Sequence, residues 1–257
     1  SKAITVREIG RVPFTTIAKV LFREYPRRTF VGITMMVTQS FLYNAIFFTY
    51  ALVLENFYDT PPATASQYFI AFALGNLTGA LVLGRLFDTW GRRRMLFGTY
   101  VLAGLILLVS AFLFQADVLD ATTHTIFWCA SFFFASAGAS AAYLTVSEIF
   151  PLELRSQVIS YVFSIGQLVG AAAPALYGSL IGDGTDREPL FWGYVLGACV
   201  MMAGGVICGL FGVSAAGKSL EDVTSPLSLV QQAEGGVTPE GSAPDDSGSD
   251  GPPRRGS

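Results

Sequence analysis

The sequence predicts an all-α membrane protein built on six transmembrane helices. Three observations carry this. Of 257 residues, 52% are apolar and only 14% are charged, whereas a soluble domain carries roughly 25% charged residues. Glycine (27) and phenylalanine (21) are both abundant, as in helical membrane segments. The few charges are also unevenly spread, because six long stretches contain none. Scarce charge argues against an ordinary soluble enzyme, a disordered chain and a nucleic-acid binder.

The stretches run over residues 30–54, 65–83, 96–114, 126–146, 158–181 and 190–214. Crossing about 30 Å of hydrocarbon takes roughly 20 residues at about 1.5 Å each. Backbone polar groups in lipid must pair within the chain, so each stretch is expected to be a helix. The fifth carries Gly166, Gly170, Pro174 and Gly178 at every fourth position, and Gly182 just past its end continues the series. That spacing makes a smooth ridge for close helix packing, with a proline break at its middle. Gly166, Gly170, Pro174 and Gly178 are therefore candidates for a flexing, gating helix.

The basic residues orient the spans. Of the 16 lysines and arginines, only Arg187 falls in the odd-numbered loops after the first, third and fifth spans. The others precede the first span, follow the last, or lie in the second and fourth loops. Positive loops face the cytoplasm, so both termini are expected there, in a plasma or inner membrane. Residues 1–29 are basic and semi-amphipathic (Phe14, Ile17, Leu21, Phe22) and suit a surface helix at the interface. Residues 30–214 form the bundle. Residues 215–257 make a polar, acidic tail (Glu221, Asp222, Asp245, Asp246) expected to be largely disordered. The chain begins at Ser1 rather than Met, which suggests a fragment or a processed start.

Cys129, Cys199 and Cys208 all sit in apolar runs and match no metal motif. The one histidine, His124, cannot supply a histidine-rich site. No metal and no cofactor are expected. An intramembrane enzyme would need paired acids, a Ser–His dyad or a metal cluster at membrane depth, and the spans offer none.

The second loop reads Gly84-Arg-Leu-Phe-Asp88-Thr-Trp-Gly91-Arg92-Arg93. Gly84 would let helices approach, Gly91 would permit a sharp turn, and Asp88 could pair with Arg92 four residues on. The fourth loop reads Ser147-Glu148-Ile-Phe-Pro151-Leu-Glu153-Leu-Arg155. These resemble two signature loops of the major facilitator superfamily, G-x-L-x-D-x-x-G-R-[RK] and the S-E-[IL]-[FY]-P-x-x-x-R of its sugar-porter-like members. Thr38-Gln39-Ser-Phe-Leu42-Tyr43-Asn44-Ala45 is similar to their Q-Q-x-x-G-x-N-A run, with Thr38 and Leu42 as replacements. Gly217-Lys218-Ser219-Leu220-Glu221 resembles the stretch after their twelfth span. Tyr143 stands where those relatives place a tryptophan.

The resemblance implies the C-terminal six-helix half of a twelve-helix transporter. It implies a cytoplasmic gate in which Glu148 and Arg155 form a charge network with Arg92 or Arg93. It further implies substrate contacts at Gln39, Asn44 and Tyr143. Thr38 and Asn76 join them as polar groups within spans, which are functional candidates by default. The implied partners are the lipid bilayer, a small polar solute such as a sugar or organic acid, and an N-terminal six-helix half; no nucleic acid is implied. No span holds an acid, Lys or Arg at its middle. Ion coupling would therefore come from the other half, or transport would be passive. A six-helix channel or a non-transporting sensor is the alternative.

Overall fold

The computed structural model describes residues 14–150 and 155–212. The expectations for residues 1–13, for Pro151 and Glu153, and for the tail beyond 212 fall outside the described residues. Among those described, regular structure is entirely helical. A short helix α1 (Phe14–Lys19) runs into a π-helical turn (Val20–Glu24), then α2 (Pro26–Phe47) and α3 (Tyr50–Tyr58). Next come α4 (Pro62–Thr89), α5 (Arg92–Gln115) and α6 (Ala121–Glu148). The series closes with α7 (Arg155–Gly170), α8 (Ala172–Ile181) and α9 (Glu188–Phe211). Six helical units, with α7 and α8 counted together, are long and apolar enough to cross a membrane.

Local chemistry sets the boundaries. Proline stands in the first turn of α2, α4 and α9, where its missing N–H costs nothing. Gly91 takes φ +89° between α4 and α5, a left-handed conformation that suits glycine. Asp120 caps α6 reciprocally with Thr123. Those hydrogen bonds hold the Asp120 carboxyl below the usual carboxylate range.

Two expected spans are divided. The stretch 30–54 splits at Phe48–Thr49 into α2 and α3. The Thr49 hydroxyl donates to the Ala45 carbonyl, while the Thr49 N–H turns to Ile46 at 3.2 Å. Such back-bonding by threonine bends helices. The fifth span splits at Ala171 into α7 and α8. Pro174 has no N–H for the Gly170 carbonyl and its ring crowds that group, so the break falls three to four residues upstream of it.

The bundle pairs α5 with α9, α4 with α6 and α2 with α7, while α6 also packs on α5 and α9 on α2. Glycines allow the closest crossings. A Cβ at Gly79 of α4 would collide with the Phe133 backbone of α6. One at Gly104 of α5 would lie 2.9 Å from the Ala198 carbonyl oxygen of α9. The core between these seams holds Met35, Tyr100, Phe132 and Met201, all fully buried.

Coverage is unequal. In their most apolar windows, 56% of residues are buried in α2 and in α6, against 28% in α7–α8 and 11% in α4. One expectation fails here. Gly84 does not serve a close helix approach among the described residues, because none of them lies within 4 Å of a Cβ built on it. It sits on the little-covered α4.

Candidate functional site

Helix α2 is the polar axis of the bundle. Gln39 is 8% exposed, and its amide donates to the Ala135 carbonyl of α6 at 3.2 Å. Its oxygen is buried with no hydrogen-bond partner among the described residues. One turn on, the Tyr43 hydroxyl donates to Asn76 Oδ1 of α4 at 2.7 Å. Asn44 donates to the Ser40 carbonyl of its own helix at 2.7 Å. A Cβ at Gly170 of α7 would lie 2.9 Å from the Asn44 amide nitrogen. Thus α2 turns amide or hydroxyl groups toward α4, α6 and α7 at membrane depth, where unpaired polar groups are costly.

Not every expected residue joins this group. Thr38 turns away from it: the Thr38 side chain packs against Gly204 of α9 and is 3% exposed. Adjacent helix positions lie about 100° apart, so Gln39 and Thr38 face different neighbours. Tyr143 is 41% exposed, with its ring 5.4 Å from that of Phe163 on α7. Of the glycine ridge, Gly166 and Gly170 press on α2, but no described residue lies within 4 Å of a Cβ at Gly178. The ridge therefore packs only on the α7 side of the proline break.

Two features escaped the sequence reading. Tyr43, Phe47 and Tyr50 face Phe69 and Phe72 of α4 and Phe132 of α6 in one aromatic wall. Tyr43 stacks on Phe47 with planes 7° apart. Their spacing of four and three residues is a one-face helical pattern and was available as a signal. Along α7, Ser156, Ser160 and Ser164 lie on exposed positions. Ser160 and Ser164 each donate to the carbonyl four residues earlier.

At the arginine-rich end, Gly91 turns the chain so that Arg92 reaches back. Arg92 forms an ion pair with Glu148 at the end of α6 and approaches Asp88 at 3.9 Å. The Arg92 and Glu148 side chains are 14% and 25% exposed, against 78% for Asp88. The expected network of Glu148 and Arg155 with Arg92 or Arg93 is smaller among the described residues. Arg93 takes no part: it donates to the Gly209 and Leu210 carbonyls at 2.6 and 3.3 Å. Those carbonyls lie at the C-terminal end of α9, where cations are favoured. Arg27 donates to the Phe211 carbonyl at 3.2 Å. Arg155 forms no ion pair among the described residues, and its Nε and Nη2 are buried without partners there. Arg155 opens α7, and Glu148 is already engaged by Arg92.

These features define a polytopic membrane protein with a buried and a half-buried amide on one helix and an ion-paired turn at one end. A family model for the Major Facilitator Superfamily matches residues 29–233. The chain belongs to the Major Facilitator Superfamily, a family of membrane transporters. It is similar to the probable plastidic glucose transporter 1 of Arabidopsis thaliana, with 25% identity over 214 residues. That match covers 81% of this chain and 40% of the relative. The sugar-porter-like resemblance seen in the signature loops agrees with both findings.

Proposed function

We propose that this chain is the C-terminal half of a twelve-span transporter that moves a small polar solute by alternating access. The observation that carries this reading is the set of amides around α2. Gln39, Asn44 and Asn76 are placed where α2 meets α4, α6 and α7. Polar groups held at membrane depth between helices suit solute recognition in transporters. A sugar or an organic acid fits hydrogen-bonding amides and an aromatic wall, and the similar Arabidopsis protein is a probable glucose transporter.

The exposed faces support a missing half. Helix α4 and the α7–α8 unit are the least covered spans, and no described residue lies within 4 Å of a Cβ at Gly84. A second six-helix body would cover them and complete a pathway. In this reading the arginine-rich end faces the cytoplasm of a plasma or inner membrane. Arg92, Glu148 and Asp88 belong to the inner gate, and the solute pathway of this half carries no coupling acid.

Uptake by the full-length protein tests the proposal. A panel of hexoses, organic acids and amino acids is assayed with and without a pH gradient. Gln39→Ala and Asn44→Ala are expected to lower uptake of the transported solute about ten-fold or more, roughly the effect of losing one substrate hydrogen bond. Surface expression should fall much less. Unchanged uptake in both variants would remove the amides from the substrate site.

A further inference from the structure

At the end of the bundle opposite the arginine-rich turn, three buried polar atoms have no hydrogen-bond partner among the described residues. They are His124 Nε2 and Trp128 Nε1 of α6 and the Tyr194 hydroxyl of α9. The three residues are 0%, 1% and 2% exposed. Buried polar groups are nearly always satisfied, by the protein or by ordered water.

The three belong to one cluster. His124 and Trp128 lie four apart on α6 and so share a face, with ring centroids 4.1 Å apart. Tyr194 meets the His124 ring edge-on at 5.6 Å. Its hydroxyl is within electrostatic reach of the Trp128 indole but makes no hydrogen bond with it. Phe114 of α5 and Tyr177 of α8 flank Tyr194 at 5.8 and 6.3 Å. Neither competes for the orphaned atoms, because the Tyr177 hydroxyl already donates to the Gly193 carbonyl.

The other side of His124 decides what the cluster can bind. Its Nδ1 lies 2.8 Å from the Tyr58 hydroxyl. Arg187, which precedes α9, donates to that same hydroxyl, and a guanidinium has no lone pair with which to accept. The Tyr58 hydrogen therefore goes to Nδ1, which assigns the imidazole hydrogen to Nε2. The orphaned atoms are thus two N–H donors and one hydroxyl that can accept or donate. A metal does not suit this set, since neither nitrogen has a free lone pair. A water does. It accepts from both N–H groups and donates to the Tyr194 oxygen, which gives about the usual number of bonds for a buried water.

We propose that His124, Trp128 and Tyr194 hold a single ordered water that bridges α6 and α9. The site rests on ring packing and hydrogen bonding, and not on the transport reading.

Millisecond X-ray radiolysis of the full 257-residue chain in lipid nanodiscs, read by mass spectrometry, tests the site without measuring transport. Radicals made from a held water oxidise the ring that holds it. Tyr194 and Tyr100 make the comparison, because both are buried but the Tyr100 hydroxyl donates to the Met35 carbonyl. Tyr194 is expected to oxidise about ten-fold faster than Tyr100, since only its site holds a water. After dilution into heavy-oxygen water, its product should take up the isotope later than product at the exposed Trp90. In His124→Phe and in Trp128→Phe, Tyr194 oxidation should fall toward the Tyr100 rate. Equal rates at Tyr194 and Tyr100 in the wild type overturn the proposal, and that comparison needs no variant to fold. Isotope uptake at Tyr194 as fast as at Trp90 also overturns it, because bulk water would then be reaching the ring. Folded variants that keep the wild-type Tyr194 rate do the same.

Discussion

Gly166 of α7 rests directly on the backbone of Met36 in α2. A Cβ at Gly166 would lie 2.8 Å from Met36 Cβ and 2.9 Å from its carbonyl oxygen. The seam between these helices is therefore set by the missing side chain. Gly166→Leu should push α2 and α7 apart and destabilise the bundle by about 1–3 kcal/mol, the usual cost of overpacking. Gly178→Leu meets open space and should change stability by less than about 0.5 kcal/mol. Reversible unfolding in mixed detergent micelles compares the two. Equal losses would mean that the ridge packs along its whole length.

The Arg92–Glu148 pair makes a sharper claim than the charge content of either loop. Both side chains are mostly shielded, so removing one partner leaves the other poorly solvated. A double-mutant cycle with Arg92→Gln and Glu148→Gln should show coupling of roughly 0.5–3 kcal/mol. A cycle of Arg93→Gln with Glu148→Gln should show none, because Arg93 is bound to α9 carbonyls. Coupling in the second cycle, or its absence in the first, contradicts the described pairing.

Pro174 makes an opposite pair of demands. Replacing it by Ala restores an N–H to face the Gly170 carbonyl and lets α7 run into α8. The expected outcome is a more stable bundle and a slower transport cycle in the full-length protein. Thermal unfolding and initial uptake rate read the two effects. An unchanged uptake rate would show that the break takes no part in the cycle.

The membrane spans were legible because they depend on what is excluded. A run with no charge is visible residue by residue, and all six stretches became helices. The break in the fifth span was legible too, since proline carries its own geometry. The break at Thr49 was hidden, because threonine bends a helix only when its hydroxyl turns back on Ala45. Helix faces were the least legible feature. α4 is apolar on nearly every side, so nothing in its own sequence marks which side is left bare. The same limit applies at Thr38 and Gln39. Both are polar and adjacent, and only the position of α9 decides that one is a packing group and the other an inter-helix amide. The signature loops pointed to Glu148, Arg155 and Arg92 or Arg93, but only distances separate them. Of the candidate arginines, Arg92 is the one that pairs with Glu148, while Arg93 binds α9 carbonyls.

The position of α9 has a consequence for how the chain is made. It follows every other described helix in synthesis, yet it closes seams on α2, α5 and α8. Until it emerges, the groove at Gly104 and the Thr38 side chain face lipid. A ribosome paused before residue 188 would therefore present the membrane with a bundle open along one side. Surveillance of unassembled membrane segments would meet that intermediate, and its lifetime is set by how quickly the last 24-residue helix is released beside its neighbours.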